Sequence, residues 1–296
     1  MDHNPEPLKA PTDAMGQESI LTVEGLSFRY PDGQMALKEV SFSVRRGSRV
    51  FFHGRNGAGK TTLFQCLCGL LRPKVGTILL SGQPMPREKD RMAHVSIVFQ
   101  NANDQIIAGS VYDEVAFGPL NQGLEEQTVR ARVEEALHAL DLWSLKEKPP
   151  HFLSYGQKKR VTIASILSMQ PDLMLLDEPS AGLDQEQTEE LVRIFKKMSQ
   201  RGTTLLISTH DTDFSYRLAD QVILLSEGEL LADGSSQTVF QDDELLQRCG
   251  LKKPMILDFY EVLRRNGSLP LGKEPRERED FLELLRGIQR VPRMCK

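Results

Sequence analysis

Two kinds of apolar spacing alternate along the chain and divide it into elements. Residues 20–30 and 36–44 read as β-strands on either side of Pro31-Asp32-Gly33, a hairpin signal. Residues 49–53 form a short apolar strand that runs into a glycine-rich loop, and the pattern predicts a helix over 59–71. Short strands are expected at 77–80 and 95–99. From 111 to 145 the period becomes helical, with Val129, Val133, Ala136, Leu137 and Leu140 on one face. The second half predicts strands at 173–176, 203–208 and 222–225 and helices at 186–198 and 211–218. Leu-, Ile- and Val-rich strands separated by helices imply an α/β fold, a mostly parallel sheet covered on both faces.

The two ends differ from this body. Residues 1–18 carry Pro5, Pro7 and Pro11 among polar neighbours and read as a disordered tail. The free amine of Met1, with Asp2 and His3, offers nitrogen ligands to Cu(II) or Ni(II), but coincidence in a tail is the preferred explanation of the triplet. Residues 251–296 hold 11 basic and 7 acidic residues, a local net of +4 against −8 for the rest. Pro254, Gly267, Pro270, Gly272 and Pro275 interrupt this stretch, and a helix is expected near 276–289. It reads as a small C-terminal appendage.

Composition narrows the function. Hydrophobic residues are 40% of the 296 and charged residues 26%, enough apolar material for a packed core. A net charge of −4 and a pI near 5.9 argue against a nucleic-acid binder. No run approaches the 18 apolar residues of a membrane span. Cys66, Cys68, Cys249 and Cys295 lack zinc-site spacing and read as inert thiols. The polar 1–17 segment lacks the apolar core of a signal peptide, so a reducing cytoplasm is expected.

The chemistry begins at Gly54-Arg55-Asn56-Gly57-Ala58-Gly59-Lys60-Thr61, which fits G-x-x-x-x-G-K-[ST] between a strand and a helix. Glycines let backbone N–H groups wrap a phosphate, and the helix start adds positive partial charge. Lys60 would reach the β- and γ-phosphates, and the Thr61 hydroxyl would ligate Mg²⁺. The apolar strand 173–176 ends in Asp177 and Glu178. Asp177 is placed for the Mg²⁺ shell, and Glu178 to orient or deprotonate a water aimed at the γ-phosphate.

With these residues in view, the chain resembles the nucleotide-binding subunit of ATP-binding cassette (ABC) transporters over about residues 20–240. The phosphate loop spans 54–62 and includes Thr62, and Gln100 resembles the Q-loop glutamine. Leu153-Ser154-Tyr155-Gly156-Gln157 resembles the LSGGQ signature. Asp177-Glu178 is similar to the second acidic motif, Ser180-Ala181-Gly182-Leu183-Asp184 to the D-loop, and His210 to the switch histidine. The resemblance implies a P-loop NTPase fold. It has a mostly parallel core sheet, an N-terminal antiparallel β subdomain, a helical subdomain over about 101–168 and an ATPase domain over 19–245. Residues 246–296 become an extension that helps dimerise. Glu178, His210, Lys60 and Gln100 are then the catalytic set, and Thr61, Gln100 and Asp177 the Mg²⁺ ligands. Tyr30 would stack on adenine. Ser154, Gly156 and Gln157, at a helix start capped by Ser154, would press on ATP held by a second ATPase subunit in a head-to-tail dimer. Tyr155 departs from the signature glycine, which puts tight closure in doubt.

A finer resemblance follows from residues 98–105 and 111–119, Val-Phe-Gln-Asn-Ala-Asn-Asp-Gln and Val-Tyr-Asp-Glu-Val-Ala-Phe-Gly-Pro. These are similar to the ATPases of energy-coupling factor (ECF) importers, especially those for cobalt or nickel. There the region grips a multi-span membrane coupling subunit, which works with a substrate-binding membrane subunit. Ile106 and Ile107 would supply apolar contact, and Asp104, Asp113 and Glu114 would meet arginines. The expectation is an ATPase peripheral to the cytoplasmic face of the cell membrane, driving cobalt or nickel import, with a vitamin as the alternative cargo. A soluble ABC ATPase of translation or DNA repair is the rival from another class. One cassette, no sustained heptads and a low pI weigh against it. A small-molecule kinase has no use for residues 153–157, and an exporter cassette would normally be fused to membrane helices.

Overall fold

The computed structural model describes residues 19–86, 91, 93–269, 272 and 274–288. The N-terminal tail, the Met1-Asp2-His3 triplet and Cys295 lie outside the described residues.

Two sheets carry the fold. Strands β1 (Ser19–Arg29), β2 (Met35–Arg45), β4 (Val75–Leu80) and β5 (Gln83–Pro84) make an antiparallel sheet in the order β2-β1-β4-β5. The second sheet uses β3 (Arg49–His53), β6 (Val95–Val98), β7 (Leu173–Asp177), β8 (Thr204–Ser208), β9 (Gln221–Ser226) and β10 (Glu229–Gly234). Its order is β10-β9-β3-β8-β7-β6, and every pair is parallel except β10 with β9.

Side chains that alternate along each central strand split the interior into two cores. Val50 and Phe52 on β3, Leu173 and Leu175 on β7 and Leu206 on β8 face the antiparallel sheet. They pack there with helix α1 (Lys60–Cys68), through Leu63, Phe64 and Leu67. Phe51, Met174, Leu176, Leu205 and Ile207 face the opposite layer. That layer holds α2 (Val111–Asn121), α3 (Glu126–Ala139), α4 (Tyr155–Ser168) and α5 (Gln185–Gln200). Both faces are therefore covered, which is why these strands are continuously apolar. Each side chain fully buried in this way contributes about 1.5–3 kcal/mol.

The predicted 111–145 helix is two helices, broken at Gly123, which takes a positive φ of 73°. A 3₁₀ turn, Trp143–Leu145, follows. Trp143 stacks on His138 with 4.8 Å between rings and 21° between planes, and the Lys146 ammonium lies 3.8 Å from the indole centroid. The chain continues through α6 (Thr212–Leu218), α7 (Ser236–Gln241), α8 (Asp243–Cys249), α9 (Met255–Arg265) and α10 (Arg278–Ile288). None of the described helices is long and apolar enough to cross a membrane.

His53, the last residue of β3, is fully buried. Its ring meets Phe240 edge-on at 5.6 Å, and neither ring nitrogen makes a hydrogen bond. Burial pushes its pKa from 6.5 down to about 3; the positive fields of Lys60 and His210 add to this, and the Thr209 backbone opposes it. The unfolded chain thus takes up a proton below pH 6.5 that the folded chain refuses. Stability from this group is full above that pH and falls by about 1.4 kcal/mol per pH unit toward pH 3. Replacing His53 with leucine should flatten this acid limb in thermal melts between pH 7 and 4. Equal slopes for both proteins would refute the assignment.

Candidate functional site

Because β8 lies between β3 and β7, the loops after these three parallel strands open side by side at the carboxyl end of the sheet. They form a cleft of about 1360 Å³. The phosphate loop follows β3. Gly54 holds φ at 152°, and a Cβ there would stand 2.2 Å from the Leu225 carbonyl oxygen. Gly59 holds φ at 103°, and its Cβ would stand 2.7 Å from the Ala36 oxygen. The loop therefore tolerates no side chain at either point. Lys60 is buried, and its ammonium donates to the carbonyls of Gly54 at 2.7 Å and Arg55 at 3.3 Å. Burial pulls its pKa below the usual lysine range, while Glu178 and Asp177 oppose that shift.

The acid pair meets this loop. The Thr61 hydroxyl donates to Asp177 Oδ2 at 2.9 Å, and the Ser208 hydroxyl donates to Asp177 Oδ1. Glu178 takes a left-handed backbone, φ 46°. Its amide holds that turn by donating to Ser208 O at 3.1 Å and Ser208 Oγ at 3.2 Å. Such a conformation costs a non-glycine residue about 1 kcal/mol or more and concentrates at functional sites. Here it aims the carboxylate toward the cleft, 3.0 Å from His210 Nδ1. Gln100 and Tyr30 line the same cleft. The Tyr30 hydroxyl is hydrogen-bonded to Thr62 Oγ1 at 3.0 Å, and Phe28 meets its ring edge-on at 5.0 Å. The donors beside Thr61 are hard oxygens, a hydroxyl and one carboxylate, with the Gln100 amide in the same cleft. That set fits Mg²⁺ that keeps waters and takes phosphate oxygens.

The signature residues stand apart. Ser154, Gly156 and Gln157 do not line this cleft. Ser154 and Gln157 form a capping box at the start of α4, with Ser154 Oγ accepting from the Gln157 amide and Gln157 Oε1 from the Ser154 amide. Gly156 lies against Gln187, whose Cδ would be 2.7 Å from an added Cβ. Tyr155 turns back into its own chain. Its hydroxyl donates to Gln100 O at 3.3 Å, and its ring covers Gly182.

Some residues of the site are not legible in the sequence. Lys159, almost fully buried on α4, donates to Gln100 O at 2.5 Å and Glu178 O at 3.3 Å, tying three motifs together. Burial lowers its pKa to about 8. The far wall of the cleft comes from 249–253, Met255 and Asp258, nearly 200 residues after the phosphate loop. Glu114 requires a correction. It is 5% exposed, and its Oε2 accepts from the amides of Ile107 at 2.9 Å and Ala108 at 2.8 Å. It stabilises its own loop and cannot meet an arginine of another protein. Asp104 and Asp113 remain exposed.

The ABC transporter family matches residues 37–181, from the antiparallel sheet through the acid pair. An energy-coupling factor transporter ATP-binding protein, EcfA of Methanocaldococcus jannaschii, is 42% identical over 85% of this chain and 92% of its own length. The chain belongs to the ABC transporter ATP-binding family. This ABC ATPase is also 41% identical to the cobalt import ATP-binding protein CbiO of Rhodobacter capsulatus, over 92% of the chain and 99% of CbiO. The solved structure of cbiO1 from Clostridium perfringens, part of the transporter complex cbiONQ, superposes with a TM-score of 0.72 at 39% identity. It covers 82% of this chain and 99% of that one. The expected α/β fold, with an antiparallel N-terminal sheet beside a mostly parallel one, is the fold found. The ABC ATPase therefore hydrolyses ATP in the service of transport.

Proposed function

We propose that this ABC ATPase is the ATP-hydrolysing subunit of an ECF-type importer at the cytoplasmic face of the cell membrane, with cobalt as its cargo and nickel as the second choice. One observation supports it most: the phosphate loop, the acid pair and His210 converge on one cleft, while the signature start lies outside it. A second protomer placed head to tail then completes each site. The backbone amides of 54–62 and the Lys60 ammonium hold the β- and γ-phosphates. Thr61, Asp177 and Gln100 would hold Mg²⁺, which supplies charge neutralisation at the phosphate oxygens when bound. Glu178 accepts the proton of the attacking water, and His210 orients that water beside the γ-phosphate. Tyr30 carries the adenine, with its hydroxyl anchored on Thr62.

The partner surfaces follow from exposure. Ile107, Phe117 and Leu120 present apolar surface on and before α2, flanked by Asp104 and Asp113. They suit short basic, apolar helices of a multi-span coupling subunit. On α9, Met255, Phe259 and Val262 form an exposed stripe, which supports a dimerising role for the 246–296 extension. Cobalt rests on the likeness to CbiO over nearly its whole length.

The test is uptake of radioactive Co²⁺, Ni²⁺ and vitamins by cells carrying or lacking this chain, paired with capture of its membrane complex in detergent. Loss of Co²⁺ uptake with recovery of a multi-span protein supports the reading. Loss of vitamin uptake alone replaces the cargo. Capture of ribosomes or repair proteins without membrane subunits overturns it.

A further inference from the structure

The C-terminal segment touches two walls of the nucleotide cleft within six residues. At Gly250, an added Cβ would fall 2.2 Å from Nε of Arg55, so the Arg55 side chain of the phosphate loop lies directly on this backbone. At Met255, the first residue of α9, the amide donates to Asp213 Oδ1 at 2.7 Å. Asp213 sits in the first turn of α6, three residues after His210. Pro254 precedes Met255 and removes one amide from the turn, so Asp213 satisfies the next one, an orphan donor of the helix start. Burial raises the Asp213 pKa, Asp211 adds to the rise, and the Met255 amide opposes it.

The far end of α6 is clamped by the same extension. Arg276 Nη1 donates to Ala219 O at 3.2 Å, and its Nη2 to Ser236 Oγ and Gln237 Oε1 at 2.7 Å each. Tyr260 on α9 donates its hydroxyl to Gly272 O at 3.0 Å, and Lys196 on α5 is ion-paired with Glu277. The short helix behind His210 is therefore held at both ends by residues after 250. Only two residues, Asp211 and Thr212, separate Asp213 from the histidine, whose Nδ1 lies 3.0 Å from Glu178.

We infer that the segment from Gly250 to Met255 braces the phosphate loop against α6, and that Asp213 is a positioning residue for His210. This rests on the proposed role of His210. Without the Asp213 tether, α6 can shift, and the imidazole leaves the line between Glu178 and the γ-phosphate. Substrate binding, carried by the phosphate loop and Tyr30, is spared.

The test measures steady-state ATP hydrolysis by the full-length protein carrying Asp213→Ala, Asp213→Asn or His210→Ala. The alanine variant should lose about tenfold in kcat with KM for ATP within about twofold, because misplacement acts on the chemical step. Asparagine still offers a carbonyl oxygen to the Met255 amide and should restore most of kcat. Hydrogen exchange should show faster exchange at the Met255 amide in the alanine variant and wild-type protection in the asparagine one. A wild-type kcat for Asp213→Ala, or equal losses for alanine and asparagine, overturns the brace. If His210→Ala is inactive while Asp213→Ala is not, the brace alone fails. If His210→Ala is fully active, the switch reading fails first and the brace with it.

Discussion

Replacing Lys60 with alanine should lower ATP hydrolysis by about 10²–10³-fold, the loss expected for one preorganised donor, and weaken ATP binding in parallel. The Lys60 ammonium is buried at the start of α1, with the loop glycines curled around it. A hydrogen bond from a charged donor contributes about 1.5–3 kcal/mol, and this ammonium is proposed to bond two phosphates. Burial disfavours the charged ammonium, so alanine relieves a desolvation cost that offsets the two lost carbonyl bonds, and the loss is expected to be chemical rather than structural. A thermal melt close to wild type, together with equilibrium binding of ATP, checks both halves. Unchanged affinity and turnover would remove Lys60 from the site.

Glu178→Gln separates binding from chemistry. The amide keeps the size of the carboxylate and an acceptor near His210, but it cannot take a proton. Hydrolysis should fall by about 10²–10⁴-fold, the range of a general base, while ATP affinity stays within about threefold of wild type. Because spent nucleotide no longer releases the pair, light scattering should show a persistent dimer with ATP, formed with itself or with a paralogous subunit. Turnover at the wild-type rate would move the base elsewhere. A monomer in ATP within the assembled complex would refute the head-to-tail arrangement.

How far the site was legible depends on chain distance. The phosphate loop shows in eight consecutive residues because its chemistry is local: glycines for close approach, then a lysine and a threonine at the helix start. The acid pair shows because an apolar strand ends in two charges. The sequence sets the strand limits to within a residue or two on β3 and β7, where Val50, Phe51 and Phe52 and the apolar run 173–176 are fully buried. In the sequence the helical layer forms one stretch because helical spacing resumes soon after the break at Gly123. Glu114 misled because its sequence context, an acid in a first helical turn, is the same for a solvated face and for a carboxylate that satisfies two loop amides. The cleft wall from Cys249 to Asp258 was hidden, since nothing in that segment's own spacing records that it returns to Arg55. Tyr155, which departs from the signature glycine, packs its ring on Gly182 and donates its hydroxyl to the Gln100 carbonyl of the same chain.

The stacked Trp143 has an experimental consequence. It is the one tryptophan of 296 residues, and it sits in the helical layer beyond α3, outside the residues that line the nucleotide cleft. Emission excited at the red edge of the indole band therefore comes from that layer alone. A change in its colour or anisotropy on adding ATP is a report from the helices beside the proposed coupling surface, obtained without attaching a dye.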